Sequence, residues 1–139
     1  MESGGRRAGC SPLRHSRRSV QLFVLPFTPM LIPVLDVFER ALVKVRAHDL
    51  FWMDRGAYTG GVSGSDLRAL GCSFAAIGQA ERRSAFSESQ EITALKFAAA
   101  VRNLLEPVLC VGEADRLSAA AEVCIAQIAT ATAALRHPP

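Results

Sequence analysis

The sequence is poor in aromatic residues, which make up 6% of its 139 residues and include one Trp and one Tyr. This scarcity argues against a stacking platform for single-stranded nucleic acid, since such platforms stack bases on aromatic side chains. The four cysteines, Cys10, Cys72, Cys110 and Cys124, never have the C-x-x-C spacing of zinc or redox motifs. We therefore expect no metal site and no cofactor. We expect the last three, which lie in apolar runs, to be buried reduced thiols of a cytoplasmic protein.

Acidic residues are nearly absent from the first 19 positions, which hold five arginines against Glu2. These positions show no apolar periodicity, so we expect a disordered, solvated start over 1–19. The rest of the chain is nearly neutral, and we expect no binding to nucleic acid. We expect one domain over 20–136 and a short tail over 137–139.

Long uninterrupted apolar segments are also lacking. The uncharged run over 20–35 is shorter than the roughly 20 residues that span a bilayer. Three prolines interrupt it, and each of them breaks a continuous apolar helix. We therefore expect no membrane segment.

Short apolar strands alternate along the chain with segments of helical periodicity. The predicted strands cover 20–25, 43–47, 73–77 and 107–111. The predicted helices cover 33–43, 63–70, 87–105 and about 117–136, with N-caps at Ser63 and Ser87 and a polar loop over 78–86. The order β-α-β-α-β-α-β-α predicts an α/β domain with a parallel sheet. Such a sheet is either open and doubly wound or part of a (β/α) barrel. The segment after the first strand lacks the G-x-G-x-x-G motif, so the sequence does not support a dinucleotide site.

Three motifs stand in loops that follow predicted strands or in a strand itself. They are Gly56-Ala57-Tyr58-Thr59-Gly60, Ile77-Gly78-Gln79-Ala80-Glu81-Arg82-Arg83 and Pro107-Val108-Leu109-Cys110-Val111-Gly112-Glu113. In this order they resemble the triose-phosphate isomerase family, whose patterns are G-A-[FY]-T-G-E, I-G-H-S-E-R-R and P-[IV]-L-C-[VI]-G-E. Asp49 and the stretch 52–58 are similar to the bacterial branch that acts on four-carbon sugar phosphates.

The resemblance implies a homodimeric (β/α)₈ TIM barrel, of which this chain carries about strands two to five. It also implies interconversion of a ketose and an aldose phosphate of the glyceraldehyde 3-phosphate and dihydroxyacetone phosphate type, through an enediolate. By resemblance, Gln79 takes the position of the electrophilic His, and Glu81 supports it. The interface residues implied are Tyr58, Thr59 and Gly60, and the structural residues implied are Arg82, Arg83, Cys110, Gly112 and Glu113.

The chain departs from the family at its reactive positions. A Gln79 amide can donate a hydrogen bond to an oxyanion, but it cannot pass a proton between two oxygens as imidazole does. Neither Lys44 nor Lys96 stands at the position of the family's catalytic Lys, and Glu106 begins a strand and does not stand at the position of the base. We therefore expect this chain alone to be inactive as an isomerase.

Two other interpretations remain open at this point. One is a non-catalytic half-barrel that acts through self-association or by docking on a full-length paralogue, since a four-strand parallel sheet exposes two edges and one face. The other is a truncated gene product without a selected role.

Overall fold

The elements are short and follow the predicted order closely. The computed structural model describes residues 22–38, 43–113, 115–116 and 119–136, so the predictions for 1–19 and 137–139 lie outside the described residues. The strands are β1 (Phe23–Val24), β2 (Lys44–Val45), β3 (Phe74–Ile77) and β4 (Glu106–Leu109). The helices are α1 (Leu31–Phe38), α2 (Gly64–Ala69), α3 (Ala80–Ala85), α4 (Gln90–Arg102) and α5 (Ala120–Ala133), and a 3-10 turn over Thr28–Met30 precedes α1.

The four strands of the described residues all run parallel. β1 pairs with β2, and β3 pairs with β4 in the register Phe74 to Glu106. A parallel bridge between Ala47 and Ala75 joins the two pairs, because the Ala76 amide donates to the Ala47 carbonyl at 2.9 Å. The spatial order is therefore β1-β2-β3-β4, which confirms the predicted parallel β/α arrangement.

Side chains alternate between the two faces of the sheet, as the strand period of two requires. One face carries Val45, Ala47, Ala75 and Ile77, which are buried against the helices in one apolar cluster. The opposite face carries the alternate residues of the same strands. On that face Phe23 packs edge-on against Phe74, with ring centroids 6.1 Å apart.

Helix α2 begins and ends where local chemistry predicts. The Ser63 hydroxyl accepts a hydrogen bond from the Asp66 amide at 3.1 Å and donates to the Asp66 carboxylate at 2.7 Å. This is an N-cap that satisfies an otherwise orphan donor. After the helix, Gly71 has a φ of +92°, a conformation that favours glycine.

Helices α3 and α4 each differ in one detail from the sequence-based prediction. The segment 78–86 was expected to be a polar loop, but Ala80–Ala85 forms α3, a helix too short to show apolar periodicity. Helix α4 is capped by Ser89, whose hydroxyl accepts from the Ile92 amide at 3.3 Å. The expected cap Ser87 instead has a φ of +52°, which ends the preceding turn.

The last helix, which was predicted from its helical periodicity, is mostly exposed. Within the described part of α5 only Ala131 is buried, whereas Ile125 and Ile128 are exposed. A hydrogen bond joins α5 to α4: the Gln90 side chain on α4 donates to the backbone carbonyl of Gln127 at 3.0 Å. Among the helices that the structure describes, none combines the length and hydropathy that crossing a membrane requires.

Candidate active site

The carboxyl ends of β2 and β3 bring His48 and Gln79 together. The Gln79 side-chain nitrogen Nε2 donates a hydrogen bond to the backbone carbonyl of His48. Gly78, just before it, has a φ of +76°, and a Cβ there would lie 3.0 Å from Arg83 and Thr93. Glycine is therefore required at this turn, which directs Gln79 toward His48.

Gln79 is also the N-cap residue of α3. Its carbonyl accepts from the Arg82 and Arg83 amides at 3.1 and 3.2 Å, so the position of the residue is fixed by the helix. Its side-chain oxygen Oε1 is buried and has no hydrogen-bond partner among the described residues. The amide thus has one N–H engaged by the protein, and it keeps one N–H and an acceptor oxygen for other contacts.

A charged cluster of four side chains lies beside this pair, and we call Asp49, Arg82, Glu88 and Lys96 the ionic cluster. The Lys96 ammonium contacts Glu88 at 2.5 Å and Asp49 at 2.7 Å. The Arg82 Nε atom contacts Glu88 at 3.0 Å and Asp49 at 3.3 Å. The side chains of Lys96 and Glu88 are each only 2% exposed. Two buried opposite charges are thus paired with each other, as buried charges have to be.

The ionic cluster joins four parts of the chain: the loop after β2, helix α3, the loop before α4, and α4 itself. Sequence reasoning singled out Asp49 and Arg82 but attached no role to Glu88. The amphipathic pattern of α4 gave no signal for a buried Lys96. Its ammonium is bonded to two carboxylates, and the expectation that it does not serve as the family's catalytic Lys stays a prediction.

The residues expected to be structural lie together at the carboxyl ends of β3 and β4. The Arg83 guanidinium donates to the Cys110 carbonyl at 2.8 Å. The Gln127 side chain accepts from the Gly112 amide and donates to its carbonyl, both at 2.9 Å. These two hydrogen bonds hold helix α5 against the turn after β4. Glu113, the last residue of this motif, is exposed.

The three described cysteines differ in burial. Cys72, before β3, is buried as predicted, but Cys110 after β4 and Cys124 on α5 are only half-buried. Glu81 lies in the first turn of α3 and is exposed. Its supporting role stays a prediction.

The expected interface residues form an exposed tip on the loop after β2. Tyr58 stacks on Phe51 with ring centroids 4.7 Å apart, and its carbonyl accepts from the Gly61 amide at 2.9 Å. Thr59 and Gly60 are exposed beside it. Gly60 also lines a cavity that the ionic cluster borders. The tip is therefore held next to the ionic cluster, and no hydrogen bond joins its described residues to Gln79.

The described residues contain no group of three His, Cys, Asp or Glu side chains placed to hold a metal ion.

A parallel β/α sheet whose polar residues gather after the strands places the chain among the parallel β/α proteins, whose sheet is either open or closed into a barrel. The family model for triosephosphate isomerase matches residues 8–138. The chain belongs to the triosephosphate isomerase family, and its fold is part of that family's TIM barrel.

Curated relatives and a solved structure agree with this assignment. The chain is 53% identical over 115 residues to the L-erythrulose-1-phosphate isomerase of Pectobacterium atrosepticum, covering 81% of this chain and 44% of that protein. It is 44% identical over 102 residues to the triosephosphate isomerase of Moorella thermoacetica, covering 73% and 41%. The crystal structure of triosephosphate isomerase from Bartonella henselae matches with a TM-score of 0.71 and 27% identity, over 78% of this chain and 47% of that one. The chain thus spans less than half the length of these relatives.

Proposed function

We propose that this chain is a sugar-phosphate isomerase-like protein that, on its own, does not turn over its family's substrates. The observation that carries the proposal is Gln79, an amide at the position of the family's electrophilic His, with its nitrogen hydrogen-bonded to the His48 carbonyl. Isomerisation through an enediolate needs a proton to move between two neighbouring oxygens. A neutral amide has no proton that it can give and take back near neutral pH.

The charged side chains near Gln79 support the same conclusion. Among the described residues, Lys96 and Arg82 are bonded to Glu88 and Asp49 and form a cluster with two positive and two negative charges. A cation that stabilises a developing oxyanion must have its charge directed at the substrate. Both cations of the ionic cluster are instead directed at its own carboxylates.

For the ligand class we propose a short ketose phosphate, with the four-carbon L-erythrulose 1-phosphate ahead of dihydroxyacetone phosphate. This choice is supported by the 53% identity to an L-erythrulose-1-phosphate isomerase, against 44% to the triosephosphate isomerase of Moorella thermoacetica. In this proposal Gln79 hydrogen-bonds to a ligand oxygen but does not relay its proton.

Coupled isomerase assays with both ketose phosphates test the proposal. We expect no rate above the buffer blank for the native chain at high protein concentration, and none for the Gln79→Ala variant. The double change Gln79→His with Ala80→Ser restores the family's residues at this loop and serves as the matched comparison. A rate that rises with the concentration of the native chain and disappears in Gln79→Ala would overturn the proposal.

A second candidate function is association with a second copy through the sheet face opposite the helices. One observation favours it: Arg46 on that face is only 4% exposed, stacks 4.3 Å above the Phe74 ring and takes part in none of the ion pairs of the described residues. Its Nε atom is also without a partner there. Beside it, Phe23 and Leu25 are 42% and 40% exposed.

Glu106 of the same chain attracts the Arg46 guanidinium from beyond ion-pair distance, and a carboxylate that a partner brings closer would stabilise this charge further. The exposed Glu106, on β4 of the same face, is the carboxylate that a second copy offers. Size-exclusion chromatography with light scattering tests this idea. We expect a dimer that Glu106→Gln weakens, whereas Glu122→Gln on α5 leaves it unchanged. A folded monomer refutes self-association, and a complex formed only after mixing with a full-length relative indicates docking instead.

A further inference from the structure

Asp49 follows His48 directly, so its side chain and the His48 carbonyl belong to consecutive residues. The carboxylate of Asp49 is held by Lys96 at 2.7 Å and by Arg82 at 3.3 Å. The carbonyl of His48 accepts the Gln79 amide. When the Asp49 carboxylate is held in place, the orientation of the His48 carbonyl is restricted as well, because only two soft backbone dihedrals separate successive peptide units.

These contacts connect Gln79, Arg82, Asp49 and His48 in a closed ring, which we call the circuit. Gln79 caps α3, and the Arg82 amide donates to the Gln79 carbonyl at 3.1 Å. The Arg82 side chain reaches Asp49 from the same helix, and the chain leads back through His48 to the Gln79 side chain. Both partners of the Gln79–His48 hydrogen bond are thus tied to Arg82, one through the backbone and one through a carboxylate.

The charge of Asp49 matters to this circuit. With Asp49 the ionic cluster holds two carboxylates for two cations. An uncharged amide at the same position would leave one buried positive charge in excess and would turn a charge-assisted hydrogen bond into a weaker one. It would also offer Lys96 and Arg82 a single carbonyl oxygen in place of two carboxylate oxygens.

We propose that Asp49 is a positioning residue for Gln79: its carboxylate, bridging Lys96 and Arg82, holds the His48 carbonyl in place and so fixes the orientation of the Gln79 amide. The amide then presents its second N–H and its Oε1 atom in one direction only. The inference rests on the proposed assignment of Gln79 as the residue that faces the ligand. It concerns the orientation of the side chain, which can be measured without ligand or turnover.

The ¹H–¹⁵N signals of the Gln79 side-chain amide test the proposal on the full chain, and their loss in Gln79→Ala assigns them. In the native protein we expect two well-separated proton signals, with the proton facing His48 exchanging with water at least tenfold more slowly than that of an exposed Gln. In Asp49→Asn we expect the signals to move to free-amide positions and the exchange to become fast. Asp54→Asn, in the same loop, is the matched control and leaves them unchanged.

A second variant keeps the test decisive should Asp49→Asn fail to fold. Arg82→Gln breaks the other side of the circuit at a side chain that is 31% exposed and therefore tolerant of change. We expect a smaller but measurable loss of slow exchange at Gln79, because Lys96 still holds Asp49 at 2.7 Å. Unchanged Gln79 signals in a folded Asp49→Asn or Arg82→Gln protein would overturn the proposal, because a purely structural role of Asp49 lowers stability without moving that amide. Loss of slow exchange in a chain with or without isomerase activity supports it, so its outcome is separate from that of the proposed function.

Discussion

The substitution Lys96→Met should be among the most destabilising changes on α4. Lys96 is 2% exposed, and its ammonium is the group that Glu88 and Asp49 approach most closely. Removing one partner of a buried ion pair costs about 3–5 kcal/mol, because the other charge stays buried without compensation. In Lys96→Met, Arg82 still contacts both carboxylates, at 3.0 and 3.3 Å. We therefore expect a loss in the free energy of unfolding at the lower end of this range, about 3 kcal/mol.

Urea unfolding followed by far-UV circular dichroism measures this loss. With a denaturant slope of about 2 kcal/mol per molar urea, a change of about 3 kcal/mol lowers the unfolding midpoint by about 1.5 M. The double variant Lys96→Met with Glu88→Gln removes the uncompensated carboxylate as well. We expect it to be more stable than Lys96→Met alone by about 1–2 kcal/mol, the coupling typical of residues in one ionic network.

The matched control is Arg102→Met, on the same helix. Arg102 pairs with Asp54 at 2.9 Å, but both side chains are about one-third exposed. Such surface pairs contribute about 0.2–1 kcal/mol. If Lys96→Met cost no more than Arg102→Met at an unchanged denaturant slope, the reasoning from burial would be refuted.

Three further predictions concern a helix cap, a surface carboxylate and a thiol. Ser63→Ala should lower the free energy of unfolding by about 1 kcal/mol, measured against Ser84→Ala on exposed α3. The hydrogen bond from Arg102 lowers the pKa of Asp54, so this group stabilises the fold above its unfolded pKa of about 4 and loses that effect as the pH falls through its folded pKa. In Asp54→Asn the free energy of unfolding should therefore fall less steeply as the pH is lowered below about 4. An unchanged pH dependence would contradict this prediction. Burial raises the pKa of Cys72. Native alkylation at pH 7 with peptide mapping should find Cys72 unmodified while Cys110 reacts.

Most of the fold could be predicted because its signals are local. Alternating apolar strands and helical periodicity predicted all four strands, and the Ser63 cap predicted where α2 begins. Helix α3 was missed, since six residues contain too few turns to display a period. The exposure of α5 could not be predicted, because periodicity shows which side of a helix is apolar but not whether another element covers that side.

The candidate site was predicted only in part. The motifs placed Gln79 and Arg82 correctly after β3, because the resemblance fixes their position along the chain. The hydrogen bond from Gln79 to the His48 carbonyl was not predictable, since it joins residues 31 apart through the parallel sheet. The same holds for the burial of Lys96: no pattern within α4 reveals that two carboxylates from earlier segments meet it.

The ionic cluster is also completed late in synthesis. Asp49 and Lys96 are 47 residues apart, and Glu88 lies between them. A nascent chain that ends before α4 has both carboxylates but only Arg82 to pair with them, so each carboxylate keeps more of its hydration than in the complete cluster. The cluster can therefore form in full only after α4 has been made, and we expect the segments that it joins to gain their full protection from proteases at that stage.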